Sequence, residues 1–198
     1  MSVPLELFYK GIEDAESILS IYDSHNQYGD KVIGLYPNGM PNIDVLKRAS
    51  IVMAFTAFES FFEGWVREIN SKQVIDLSND QRNKLLERFH NPTARNLIKL
   101  YKAWFGIENC LKSISFDGRG TDDICKQLDE YLKIRGQVVH VQKTDSTTQD
   151  VAKKENVVKI LGFLKKFAES FDHYIDSNEW IEEIRARNST NKADEAIL

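Results

Sequence analysis

Cysteine, proline and glycine are all scarce in this chain. The two cysteines, Cys110 and Cys125, are too few for a disulfide framework and lack CxxC spacing. They read as buried, reduced thiols. Ten glycines and four prolines amount to about 7% of the residues against an average near 12%, and no proline follows Pro92. A sandwich or barrel needs a turn about every 8–12 residues, more than these turn formers can supply. No uninterrupted apolar run approaches the roughly 18 residues of a membrane span. The opening MSVPLELFYKGIED has neither the basic start nor the apolar core of a secretory signal. A cytoplasmic, all-α protein without membrane contact is the expectation. Walker A, GxGxxG, HExxH and GxSxG patterns are also missing, and the four histidines, at 25, 90, 140 and 173, stand too far apart for zinc spacing. No metal or cofactor is expected.

What is present is helical periodicity. The 198 residues suit one domain with one core, placed at 1–186 with a flexible tail at 187–198. Leu5, Phe8, Ile12, Ala15, Ile18, Leu19 and Tyr22 recur at three- and four-residue steps, predicting a helix over about 4–26. Residues 29–42 hold three glycines and two prolines and read as a loop. From residue 42 or 44 to about 73 the chain is proline-free, and its centre, IVMAFTAFESFFEGWV, is apolar almost all round. Such a helix belongs in the middle of a bundle, with Glu59 and Glu63 sharing one edge. Ser78 caps a short helix at about 79–88. Asn91 and Pro92 are expected to cap and open the next, which Gly106 ends. Residues 115–120, SFDGRG, form a loop, and Thr121 starts a helix to about Val141, whose alternating tail admits a strand or distorted turn. A polar turn at 143–149, a long helix over 150–175 on a face including Val151, Val158 and Phe167, and a short last helix complete an antiparallel bundle of five to six helices.

Charge is unevenly spread. The net charge of −4 argues against indiscriminate nucleic-acid binding. Residues 81–112 nevertheless carry seven basic and two acidic side chains. Within this island Arg88, Arg95, Lys99 and Lys102 are candidate RNA-backbone contacts, with solvated helix faces the plainer alternative. Tyr101 and Trp104 are read as core rather than base-stacking platforms.

One pair carries chemistry. Arg135 and His140 lie five residues apart near a helix end, in the run RGQVVH. The plain alternative is a histidine at the negative pole of the helix dipole and an arginine in a salt bridge. On a straight helix they stand about 140° apart around the axis and about 7.5 Å along it. They should not meet on one face. Either Gly136 and the Val138-Val139 pair bend the helix, or two chains bring their pairs together across an axis, with Gly136 a point of close approach.

Three features, taken in order over about residues 40–175, resemble the HEPN superfamily and its RiboL-PSP/MAE_28990-like nuclease group. They are the apolar helix with FESFFE at 58–63, the run NPTARNLIKL at 91–100 followed by WFG at 104–106, and the helix ending in LKIR at 132–135 and His140 before a long final helix. The family signature is an arginine, four to six residues and a histidine, commonly with a polar residue directly after the arginine. Here Gly136 takes that place and Gln137 is the next polar side chain. The resemblance implies a helical homodimer acting as a metal-independent endoribonuclease in toxin–antitoxin or phage-defence systems, with an antitoxin protein as partner. It implies Arg135 and His140 as catalytic groups at the dimer interface. RNA supplies its own nucleophile, the 2′-OH. A group titrating near neutral pH can move its proton, and a guanidinium can stabilise the phosphorane. Gln137 would supply the polar contact, and Glu59 would orient Arg135 or His140 or simply tie two helices together. A non-catalytic module that binds RNA, a nucleotide or a protein is the alternative. A purely structural dimer with the motif salt-bridged and desolvated is the third.

Overall fold

The computed structural model describes residues 1–28, 44–71, 84, 86, 87, 89, 91–140 and 153–177. Among them the secondary structure is helical: α1 Val3–Tyr28, α2 Asp44–Ser71, α3 Ala94–Phe105, α4 Thr121–His140 and α5 Lys154–Asp176. The expected loops at 29–42 and 143–149, the cap at Ser78, the final helix and the tail lie outside the described residues. Of the short helix at 79–88, residues 84, 86 and 87 are described, and they are helical.

Ser2 starts α1. Its hydroxyl accepts the Leu5 N–H at 3.2 Å and donates to Asp172 of α5. Gly11 then lets α1 lie close on α2, since a Cβ there would stand 2.5 Å from that of Ala57. Pro4 faces Gly64, and the buried Ser50 hydroxyl donates to the Ala15 carbonyl at 2.8 Å. Rising numbers on α1 meet falling numbers on α2, so the two are antiparallel. Ser2 and residues 9, 16 and 23 of α1 repeat every seventh position, and they pair with Asp172, Glu169, Lys165 and Lys154 of α5. That helix too is antiparallel to α1. A phenylalanine layer joins α2 to α5: Phe58 and Phe62 lie 4.9 Å apart at 89°, Phe62 and Phe171 4.9 Å at 77°. These are the edge-to-face arrangements that ring quadrupoles favour. The central position expected for α2 is borne out, with Phe55, Phe58, Phe61, Phe62 and Trp65 buried.

Several sequence expectations need correction. Thr93, not Asn91, caps α3, its hydroxyl accepting the Asn96 N–H at 3.2 Å. Pro92 therefore sits outside the helix, buried, while the Asn91 carbonyl accepts from Thr93 N–H and the Asn96 side chain. Asp129 of α4 takes the Ala94 N–H at 3.1 Å, and this tertiary acceptor favours the later start. Gly106 closes α3 in the left-handed region as expected, at φ 68°. Residues 115–120 form a tight turn, with Asp117 and Gly118 at positive φ. The tail of α4 is neither strand nor distorted turn but helix through His140, because Val138 still packs into the core. On α5, Val158 is exposed and Val157 and Ile160 are buried instead. Cys110 is buried, but Cys125 is only half-buried.

Candidate active site

Arg135 holds an unusual place on its helix. Ile124, Leu128 and Leu132 mark the buried face of α4, and Arg135 follows at the next three- to four-residue step. A guanidinium thus sits where the pattern would put an aliphatic side chain. Glu59 on α2 meets it there, Arg135 Nη2 lying 3.5 Å from Glu59 Oε2. The side chains retain 23% and 18% of their exposure, and Arg135 Nε is buried without a hydrogen-bond partner. The pair is half in the core and half open. Glu63, the other acid on that edge, pairs instead with Arg67 of its own helix at 3.6 Å.

A groove opens one helical turn from the pair. A cavity of about 560 Å³ lies between α1, α2 and α4, walled by Ile18, Ala49, Val52, Met53 and Val138, with Arg48 and Thr56 among its polar groups. Thr56 and Glu59 are one turn apart on α2, as are Arg135 and Val138 on α4, so the ion pair lies one turn beyond the residues that line the groove. The strip of α2 read as apolar all round is therefore partly uncovered here, with Met53 exposed. Sequence reading missed Arg48. The signal was the stripe Arg48, Val52, Thr56, Glu59, which carries two opposite charges along an otherwise uncharged face.

The backbone of α4 is continuous to His140, which leaves positions 135 and 140 about 140° apart around the axis. The His140 side chain lies outside the described residues. Gln137 is exposed. At Gly136 an added Cβ would meet nothing within 4 Å. On α3, Arg95 and Lys99 are exposed one turn apart, whereas Lys102 is tied to Glu108 at 2.6 Å. Arg88 lies outside the described residues. Tyr101 and Trp104 are buried, as expected of core.

The protein these features define is an all-helical bundle with a partly buried arginine–carboxylate pair beside an open groove. A family model described as RiboL-PSP-HEPN matches residues 12–177, and the chain belongs to this HEPN family. Membership suggests a nuclease-type or RNA-related function. No curated protein and no solved structure matches the chain. Among the described residues no helix is long and apolar enough to cross a membrane.

Proposed function

We propose that the protein is a homodimeric endoribonuclease of HEPN type, cleaving RNA through its own 2′-OH without a metal. Arg135 is the phosphate-stabilising cation and His140 the proton-transfer group. Glu59 is a positioning residue that fixes the guanidinium, and Gln137 reaches the substrate beside it. Arg95 and Lys99, with Arg88 and Lys102, track the RNA backbone. The observation that carries this proposal is the Arg135–Glu59 pair, held partly open one helical turn from a groove. A guanidinium on a core stripe is expensive to bury, and its oriented, solvent-reachable placement suits anion binding better than packing.

The 140° separation on an unbroken helix supports the dimer, since a second chain would bring an imidazole to each guanidinium. Val139 continues the apolar face of α4 and is 52% exposed, which leaves it available to such a partner surface. A cytoplasmic toxin or phage-defence effector restrained by an antitoxin protein is the biological setting the family suggests.

The test mixes purified protein with single-stranded RNA in EDTA. Cleavage leaving 2′,3′-cyclic phosphate ends, lost in His140→Ala with the helical circular dichroism retained, is the expected result. Activity persisting in that variant removes His140 from the mechanism. One observation favours the alternative of a non-catalytic module binding RNA, a nucleotide or a protein: Gly136 offers no side chain next to Arg135. Tight RNA binding by the wild type with no cleavage across many substrates selects that alternative.

A further inference from the structure

Among the described residues the groove carries one cation, Arg48, and the Arg135–Glu59 pair lies beyond its other end. Arg48 and Glu59 are eleven residues apart on α2, about 16 Å along the helix and nearly in line around it. Arg48, Val52, Met53, Thr56 and Val138 line the groove, and the Arg135–Glu59 pair lies one helical turn beyond Thr56 and Val138. Nucleotides stacked in one strand rise about 3.4 Å each, so the groove is longer than a single nucleotide step. Its cavity of about 560 Å³ falls within the usual range for ligand pockets, which are apolar with a few placed polar groups.

We propose that this groove holds the single-stranded RNA next to the scissile phosphate, with Arg48 binding a second phosphate and the aliphatic walls taking an unstacked base. This rests on the cleavage function above and adds Arg48 as a substrate-binding residue. The Thr56 hydroxyl donates to the Val52 carbonyl at 3.0 Å, which leaves its oxygen to accept from a base amino group. A second copy of the chain fits the groove less well. With the two-fold axis through it the groove would meet its own image, and a concavity facing itself leaves a void where an interface needs close packing.

The experiment measures binding of a 12-nucleotide, fully 2′-O-methylated single-stranded RNA to the full chain, by fluorescence anisotropy over a range of salt. The methylated strand lacks the nucleophile, so binding is read apart from cleavage. Arg48→Gln should weaken binding about tenfold and make the salt dependence shallower by about 0.7, the share of one phosphate. Met53→Glu, at a position 39% exposed and thus tolerant of a carboxylate, should weaken it more than Leu7→Glu, an equal charge change on exposed α1 surface.

Wild-type affinity in both groove variants overturns the proposal. So does a shift of either variant to monomer in sedimentation with RNA affinity unchanged, which would make the groove a contact between copies. Loss of binding in the groove variants, with no cleavage of unmodified RNA by the wild type, sustains the groove and removes the nuclease. Cleavage that depends on His140 but is indifferent to Arg48 and Met53 does the reverse.

Discussion

Arg135 is the residue on which chemistry and stability compete. It continues the apolar stripe of Ile124, Leu128 and Leu132 on α4, and its Nε faces no acceptor. Removing the carboxylate that meets it leaves a partly desolvated cation, so Glu59→Ala should cost about 1–3 kcal/mol in urea unfolding. Replacing both groups should not. Arg135→Met restores an apolar side chain of similar length, and the Glu59→Ala/Arg135→Met double variant should recover most of the loss. If the double variant loses the sum of the two single effects, the pair is not coupled and the 3.5 Å contact contributes nothing to stability. The sequence made Arg135 legible through its spacing to His140 and Glu59 through its place on a greasy helix. Their encounter was only one option among several, because 76 residues separate them and periodicity cannot say which edges of two helices meet. Arg48 was hard to read for the same reason: a basic residue beside Lys47 near the start of a helix looks like solvated surface until three helices wall a groove around it.

Two glycines separate what an element needs internally from what its neighbours impose. Gly11 is dictated by its neighbour. With a Cβ there 2.5 Å from that of Ala57, Gly11→Ala must push α1 off α2, and unfolding stability should fall by about 1–3 kcal/mol. Gly136 is the opposite case, a glycine inside a helix with open space around it. Gly136→Ala should stabilise the isolated protomer by about 0.5–1 kcal/mol through helix propensity alone. If a second copy approaches closely at that point, the same substitution will also weaken dimerisation, which sedimentation measured beside the urea curve would reveal. Element existence was plain from the periodicity and the scarcity of breakers; element ends were less so. Asn91 and Thr93 are both good caps, and the choice fell to Thr93 with Asp129, thirty-five residues from Ala94, accepting the next N–H. A tertiary acceptor of that kind leaves no trace in local sequence. The face of α5 slipped near its start for a related reason: Val157 and Val158 are equivalent in hydropathy, and only the packing against α1 and α2 decides between them.

At the scale of the molecule, the order of motifs identified the family, while the groove, which no single segment encodes, emerged only from the packing of α1, α2 and α4. Burial also gives the whole protein a pH response that can be worked out in sign. Desolvation pushes the Cys125 thiol from 9.0 up to about 11, with Asp129 and Asp122 adding to it, and burial raises Cys110 further still. Desolvation and then the hydrogen bond to Glu169 raise Tyr9 from 10.0 to about 12. All three groups are neutral when protonated, so near pH 8 folded and unfolded chains bind the same protons there and stability is flat. Above pH 9 the unfolded chain releases its thiol protons first, while the folded chain holds them, so the unfolded state is favoured progressively. Stability should therefore fall across pH 9–11 as the thiols' unfolded pKa is passed, and Tyr9 should extend the loss from pH 10 towards 12. Thermal unfolding at fixed ionic strength between pH 8 and 11 measures this, and Cys125→Ala should make the decline shallower without moving the plateau's slope below pH 9. A decline identical in Cys125→Ala would mean that the half-buried thiol is open enough to ionise as it does in the unfolded chain, and a melting temperature constant to pH 11 would mean the same of Cys110 and Tyr9.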